Sequence, residues 1–303
     1  MEKTFYSNGK LLITGEYLVL DGAKALALPT KYGQYLKVGS GKNREILWTS
    51  FDKDKSIWFQ EIISFSEIIK YKKTGNQSVK ATLIEILHEA YLLNPEFLNS
   101  SEGYRISTNL TFPKFWGLGT SSTLINNVAQ WLEINAFELL KNSFGGSGYD
   151  IACAQNDLPI FYQIIDGKPN VEIVNFNPNF SDNLYFVYLN QKQNSKSAIA
   201  AYYKKQNNLS AVIPEINKIT VEITKAITIE KFQELLQIHE NIMSDVLEIA
   251  TVKNNLFPDF KGTVKSLGAW GGDFVLVVSK ENPTAYFKMK GFETIISHSD
   301  MIL

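Results

Sequence analysis

The stretch that decides the interpretation of this chain is Pro113-Lys114-Phe115-Trp116-Gly117-Leu118-Gly119-Thr120-Ser121-Ser122-Thr123. It runs into apolar residues at three- and four-residue spacing, which predicts a helix with one buried face: Leu124, Ile125, Val128, Trp131 and Leu132. A glycine-rich turn that opens a helix points unpaired N–H groups and the positive end of the helix dipole at one place. Phosphate is the usual occupant of such a place. The competing interpretation is an ordinary N-cap, because hydroxyl residues are preferred there for capping alone.

The composition indicates a protein with a well-developed core and no affinity for nucleic acid. The chain has 303 residues, of which 45% are hydrophobic, enough for two lobes. Lys+Arg total 30 and Asp+Glu 31, without a basic block of the kind that nucleic acid requires. The single cysteine, Cys153, excludes an internal disulfide and fits a reducing compartment. The first residues do not have the form of a signal peptide and no apolar run is long enough to span a membrane, so we expect a cytoplasmic protein without a membrane partner.

Two further glycine turns place a charged residue at a defined position. In Gly9-Lys10-Leu11-Leu12-Ile13-Thr14-Gly15-Glu16-Tyr17, Lys10 starts a predicted strand, where it is either directed into a cleft or solvated. The pattern predicts strands at 11–14 and 17–20, interrupted at Gly15-Glu16. In Gly145-Gly146-Ser147-Gly148-Tyr149-Asp150, the glycines either present Asp150 for chemistry or form a plain turn with a helix cap.

The rest of the chain alternates between strand and helix patterns. Residues 33–38, 45–49, 56–59 and 104–112 are predicted strands, 80–92 is a predicted helix, and 160–164 with 171–174 form a predicted hairpin. A polar segment at 175–182 suggests two domains, 1–180 and 181–303. The second domain is predicted to be an α+β sandwich. Its predicted elements are, in chain order, a strand at 184–189, helices from 198, at 213–227 and at 229–246, a strand at 274–278, a helix at 283–289 and a strand at 293–296.

Four segments in a fixed order resemble the motifs of the GHMP small-molecule kinases. They are Gly9–Tyr17, Gly117–Ser122, Gly146–Ala152 and Gly268-Ala269-Trp270-Gly271-Gly272-Asp273. Each is weak alone, and their order carries the resemblance. It implies an α+β fold of two lobes, with a left-handed βαβ crossover in the N-terminal lobe and a ferredoxin-like C-terminal lobe. The active site would lie in the cleft between them.

The resemblance also implies roles for particular residues. Gly117, Leu118, Gly119, Thr120, Ser121 and Ser122 would wrap the phosphates of ATP, and Ser121 would bind Mg²⁺. Asp150 would take the proton of the attacking hydroxyl or stabilise it electrostatically, and Lys10 would pair with Asp150. Gly268, Ala269, Trp270, Gly271 and Gly272, with Glu16 and Ser147, would hold the substrate and brace the phosphate loop. Glu138 lies near the position of a magnesium-binding glutamate, although its spacing to Asp150 is one residue longer than in mevalonate kinases.

The implied activity is an ATP- and Mg²⁺-dependent phosphorylation of a small metabolite. The motifs look closest to the mevalonate and phosphomevalonate kinases, which would place the chain in isoprenoid precursor synthesis. We expect a carboxylate-bearing substrate, with Lys196 as a candidate for binding that anion. The alternatives are a kinase for a sugar or another alcohol, and a catalytically silent nucleotide-binding protein. The oligomeric state stays open, with a homodimer as one option.

Three positions depart from the family pattern. Phe115-Trp116 precedes the second motif and Trp270 stands in the third, where the family has small residues, and Tyr17 replaces a histidine common in mevalonate kinases. Trp270 either faces the cleft, with Trp116 across from it, and narrows the substrate side, or packs into the core of its lobe. From the sequence, we favour a Trp270 side chain that faces the cleft.

Overall fold

The computed structural model describes residues 2–73, 75, 78–191, 195–204 and 209–303, and the side chains of all of these except 195–197. The strands are β1 (Lys3–Leu12), β2 (Ala25–Ser40), β3 (Glu45–Phe51), β4 (Ile57–Ser64), β5 (Tyr104–Leu110), β6 (Ile160–Ile165), β7 (Lys168–Ile173), β8 (Leu184–Tyr188), β9 (Thr263–Ser266), β10 (Phe274–Val278) and β11 (Ile295–Ser297). The helices are α1 (Phe65–Ile69), α2 (Val79–Leu93), α3 (Glu96–Asn99), α4 (Thr120–Leu132), α5 (Ala136–Ser143), α6 (Tyr149–Gln155), α7 (Ser195–Tyr203), α8 (Val212–Lys225), α9 (Ile229–Leu247), α10 (Val252–Leu256), α11 (Thr284–Met289) and α12 (His298–Met301). Short 3₁₀ helices lie at Leu18–Asp21 and Ser181–Asn183.

The chain packs into two compact units that interleave along the sequence. Unit 1 comprises Met1–Gly9, Tyr32–Lys114 and Leu118–Gln155. Unit 2 comprises Lys10–Lys31, Phe115–Gly117 and Asn156–Leu303. The domain division at 1–180 and 181–303 that the sequence suggests stays a prediction.

Unit 1 is built on a mixed sheet covered by helices. β3 pairs antiparallel with β4 and parallel with β5, and β5 pairs antiparallel with the second half of β2. The connection between the parallel strands β3 and β5 contains β4 and the helices α1 to α3. The core includes large apolar side chains of both the sheet and the helices, among them Leu36, Ile46, Trp48, Leu87, Ile125 and Val128. The amphipathic spacing after Gly119 thus forms a helix for the predicted reason, burial of one apolar face.

Unit 2 contains a four-stranded antiparallel sheet in the order β11-β8-β10-β9. Numbered along the chain, these strands stand in the order four, one, three, two, with helices in the first and last connections. That is the ferredoxin-like arrangement, and it confirms the predicted α+β fold of this part of the chain. The predicted hairpin is also present: β6 and β7 pair antiparallel, and β6 pairs with the start of β2.

One predicted strand is wrong. Residues 17–20 were expected to be extended, but the chain turns there and forms the 3₁₀ helix Leu18–Asp21. The cause is local: Gly15 and Tyr17 have positive φ angles of 80° and 59°, which a strand cannot accommodate. Leu18 and Val19 are buried all the same, so their apolar character reflects burial and not strand structure.

A membrane-spanning helix is not found in the described part of the chain, where no helix is both long and apolar enough.

Candidate active site

The N-terminus of α4, in unit 1, lacks a side-chain cap. The helix begins after Gly119, whose φ of 97° is left-handed, and no side chain caps its first N–H groups. Gly117 is also left-handed, with φ 68°. The hydroxyls of Ser122 and Thr123 donate to the carbonyl of Gly119 at 3.0 and 2.9 Å, and both residues are buried. Thr120 and Ser121 are half-buried, so they are better placed than Ser122 to offer a hydroxyl to a ligand.

The side chain of Lys10 is hydrogen-bonded to the first glycine of this stretch. Its Nζ donates a hydrogen bond of 2.9 Å to the carbonyl oxygen of Gly117, within unit 2. The side chain is half-buried, so the interpretation of Lys10 as a solvated edge-strand lysine does not hold. The ammonium is fixed at the glycine stretch.

Gly117 has to be glycine for two reasons. A left-handed φ costs an L-residue about 1–2 kcal/mol. A Cβ at this position would also lie 2.3 Å from the carboxylate of Asp273, the last residue of the third motif. Gly117, the first residue of the second motif, therefore packs closely against Asp273, the last residue of the third, within unit 2.

Asp150 lies in the first turn of α6, in unit 1. The turn before it is formed by Gly145, Gly146 and Gly148, all at positive φ. Asp150 is half-buried, and its Oδ1 accepts a hydrogen bond of 3.0 Å from the N–H of Ile151. Ser147, two residues before Tyr149, is half-buried too. The glycine turn presents a carboxylate in the first turn of α6.

The candidate metal ligands are oxygen atoms on two helix starts of unit 1. Ser121 is in the first turn of α4, and Glu138 is an exposed residue in the first turn of α5. Among the described residues, no group of three or more His, Cys, Asp or Glu side chains could hold a metal ion. Mg²⁺ bound with nucleotide phosphates uses one or two protein ligands and keeps several waters, so the donor set present is compatible with it.

The third glycine loop packs against the turn that follows β1. The backbone N–H of Trp270 donates to the Tyr17 hydroxyl at 3.1 Å. Trp270 is 7% exposed and belongs to an apolar cluster with Leu18, Tyr202 and Met243. Its packing therefore supports the core alternative for this residue and not the one favoured from the sequence. The ring centroids of Trp116 and Phe274 are 5.5 Å apart, in an edge-to-face contact.

Behind this loop lies a fully buried group of charged and polar side chains, which we call the buried cluster: Glu16, His239, Glu240 and Lys265. Lys265 Nζ donates to Glu16 Oε1 and lies 3.8 Å from Glu240 Oε2. His239 Nε2 accepts the N–H of Gly15 at 3.1 Å. Glu240 Oε1 accepts both the N–H and the hydroxyl of Ser266, at 3.1 and 2.8 Å. Each of the four cluster residues is at most 1% exposed.

Burial dominates the protonation of this cluster. Burial raises the pKa of Glu16 to about 7, against the opposing effect of Lys265. It also raises the pKa of Glu240, and it lowers the pKa of His239 well below its usual value, assisted by Lys265. His239 is therefore a neutral imidazole.

Most of this cluster carries no recognisable signal in the sequence. Glu16 was expected beside the substrate, yet it is 0% exposed and held by Lys265. Lys265 gave no signal, because a lysine in a short apolar strand usually points to solvent. The candidate anion-binding residue Lys196 lies in α7, but its side chain is outside the described residues, so its role stays a prediction.

The fold of this chain is that of the GHMP small-molecule kinases, as comparison with solved structures shows. The mevalonate kinase of Methanococcus jannaschii matches with a TM-score of 0.70 and 17% identity, covering 98% of this chain and 97% of that one. The Streptococcus pneumoniae phosphomevalonate kinase in complex with phosphomevalonate and AMPPNP matches with a TM-score of 0.70 and 16% identity, covering 97% and 99%. The Lactococcus lactis galactokinase complexed with galactose matches with a TM-score of 0.69 and 12% identity, covering 95% and 88%. No protein-family model matches the sequence, and no curated protein matches it either.

Proposed function

We propose that this protein is an ATP- and Mg²⁺-dependent kinase of the GHMP family that phosphorylates a small metabolite. The observation that carries the proposal is the start of α4, an uncapped helix N-terminus behind two left-handed glycines, with the Lys10 ammonium bonded to Gly117. Phosphoryl transfer depends mainly on positioning and on neutralising charge. These residues supply both.

The chain's own groups suit the binding of nucleotide phosphates. The free N–H groups at the start of α4 and the hydroxyls of Thr120 and Ser121 can bind phosphate oxygens. Ser121 and Glu138 are the residues that would hold Mg²⁺. When bound, ATP supplies the phosphoryl group and Mg²⁺ offsets the charge of its phosphates.

Asp150 and Lys10 are the proposed catalytic residues. Asp150 accepts the proton of the acceptor hydroxyl. For a phosphate acceptor, it stabilises the attacking group electrostatically. Lys10 places a positive charge at the glycine stretch, where negative charge develops during transfer. A protein that only bound nucleotide would need neither residue, which argues against the silent nucleotide-binding alternative.

Mevalonate and phosphomevalonate are the acceptors we favour. The motifs of the first, third and fourth segments support this branch, and two of the similar structures are kinases of these compounds. The galactokinase match has nearly the same TM-score, so a sugar kinase is the second candidate.

The test is ADP release by the purified protein with ATP, Mg²⁺ and one acceptor at a time: mevalonate, 5-phosphomevalonate, homoserine or galactose. Acceptor-dependent ADP release that Asp150→Asn abolishes supports the proposal. Nucleotide binding without ADP release for any acceptor would favour the silent nucleotide-binding alternative.

A further inference from the structure

The buried cluster joins three separate segments of unit 2. Glu16 lies in the Gly15–Tyr17 turn after β1, Lys265 lies in β9, and His239 and Glu240 lie in α9. Lys265 bonds to Glu16, and Glu240 bonds to Ser266. Ser266 is the last residue of β9 and leads directly into the third glycine loop. The cluster therefore connects the Gly15–Tyr17 turn to the base of that loop.

The charges in the cluster do not balance when every acid is ionised. Glu16 and Glu240 contribute two negative charges, Lys265 contributes one positive charge, and His239 is neutral. Within the buried cluster, three side-chain atoms have no hydrogen-bond partner among the described residues: Glu16 Oε2, Glu240 Oε2 and His239 Nδ1. An uncompensated buried charge is costly, and one added proton on a carboxylate removes it.

The same connection is made a second time outside the cluster. The N–H of Trp270 donates to the Tyr17 hydroxyl, and Tyr17 directly follows Glu16. Since Trp270 stands in the middle of the third glycine loop, the turn is held at both the base and the middle of the loop. If the hold at the base is weakened, this hydrogen bond and the packing of the Trp270 ring in the cluster with Leu18 remain.

We propose that Glu240 is a positioning residue: through Ser266 and Lys265 it holds the third glycine loop against the Gly15–Tyr17 turn, and the hold depends on one proton bound by a carboxylate of the buried cluster. Only the effect on turnover rests on the proposed function. The titratable groups that face Glu240 or its partners are Lys265 from β9, Glu16 and Tyr17 from the turn, and His239 from α9.

The raised pKa of Glu16 fixes the direction of the effect. Its value of about 7 lies above the ordinary 4.5 that it regains when the cluster opens. The stabilisation is fully present below pH 4.5 and is lost as the pH rises through about 7. Opening of the loop then releases a proton, so its equilibrium constant rises by up to about tenfold per pH unit in this window. The lowered pKa of His239 acts in the opposite direction below pH 6.5, so a comparison between wild type and a variant of a cluster carboxylate is needed to separate the carboxylates from the histidine.

The first experiment measures hydrogen exchange of the backbone amides at 267–273, corrected for intrinsic rates, at pH 5.5 and 7.5. In Glu240→Gln the Glu16–Lys265 pair is neutral when ionised. Burial still raises the pKa of Glu16, but the smaller contribution from the Glu240 charge is gone, and so is the titration of Glu240, whose pKa burial also raises. We expect the opening constant of the wild type, divided by that of Glu240→Gln, to rise by roughly threefold or more between the two pH values. The matched control is Glu234→Gln, an exposed glutamate on the same helix. An equal pH dependence in wild type and Glu240→Gln would overturn the proposal.

The second experiment separates the inference from the proposed function. We expect kcat of Glu240→Gln relative to wild type to rise by roughly threefold or more as the pH passes 7, with an unchanged KM for ATP. A flat kcat ratio in an active enzyme overturns the positioning role. If no acceptor is phosphorylated, the proposed function fails and the exchange data alone decide the inference. If Glu240→Gln does not fold, Ser266→Ala serves instead: faster exchange at 267–273 supports the proposal, and unchanged exchange overturns it.

Discussion

The ammonium of Lys10 and the carbonyl oxygen of Gly117 are 2.9 Å apart and form a hydrogen bond between residues 107 positions apart in the sequence. The contact joins the first motif to the second. It fixes a positive charge at Gly117, the first glycine of the second motif, within unit 2.

Replacing Lys10 by Met removes the positive charge and the bond to Gly117. We expect kcat to fall on the order of 100-fold or more, while ATP still binds, because the loss acts on the charge that develops during transfer. Steady-state kinetics and equilibrium binding of ATP measure the two effects. Lys3→Met, at the exposed start of the same strand, is the matched control. Near-normal turnover of the Lys10 variant would remove this residue from the mechanism.

Asp150→Asn should abolish turnover and leave ATP binding intact. The amide cannot accept the proton of the acceptor hydroxyl, and the expected loss in kcat is on the order of 100-fold or more. Asp157→Asn changes an exposed aspartate shortly after the same helix and serves as the control. Equal kcat values for the Asp150 variant and the wild type would contradict the assignment.

Ser121→Ala should raise the Mg²⁺ concentration required for half-maximal turnover. The reason is the loss of one oxygen ligand from a metal that strongly prefers oxygen. A magnesium titration at saturating ATP measures it, with Ser66→Ala, an exposed serine of the same unit, as the control. An unchanged titration would exclude Ser121 as a ligand.

Gly117→Ala should destabilise the protein by more than backbone strain explains. The strain of a left-handed alanine is about 1–2 kcal/mol. The added methyl group would also overlap the Asp273 carboxylate, 2.3 Å away. Gly167→Ala is the matched control, because Gly167 has a similar φ of 73° and nothing within 4 Å of its absent Cβ. Equal losses in the free energy of unfolding, measured with urea, would show that the overlap is relieved at no cost.

His239→Gln should reduce the loss of stability in acid. Burial lowers the pKa of His239 in the folded protein, so the unfolded chain binds the extra proton and stability falls as the pH drops below 6.5. Glutamine can still accept the N–H of Gly15 and does not titrate. Urea unfolding at pH 7.5 and 5.5 checks this. An identical acid loss in variant and wild type would mean that the histidine is not the group responsible.

The parts of the fold that the sequence predicts well are those with local signals. The α4 helix follows from its apolar spacing, and the β6–β7 hairpin follows from the Asp166-Gly167 turn. The strand predicted at 17–20 is wrong because an apolar run indicates burial and not conformation. The positive φ angles of Gly15 and Tyr17 determine the conformation there. The separate compactness of the two units depends on contacts between distant segments and cannot be read from composition.

The candidate site divides in the same way. Lys10, Gly117 and Asp150 stand beside glycines, and these turns mark them in the sequence. Lys265 has no such mark, because its partner Glu16 lies 249 residues away and its burial is a tertiary property. The small residues around Trp270 suggested a ring that faces a ligand. The ring instead packs into the apolar core of unit 2, and the backbone N–H of Trp270 donates to Tyr17.

The kinase activity is tested by ADP release with mevalonate and with 5-phosphomevalonate, each measured for wild type and for Asp150→Asn. We expect Mg²⁺-dependent ADP release with one of these acceptors, and its loss in the variant, which still binds ATP. Turnover that is independent of the acceptor, or that persists in Asp150→Asn, would contradict it.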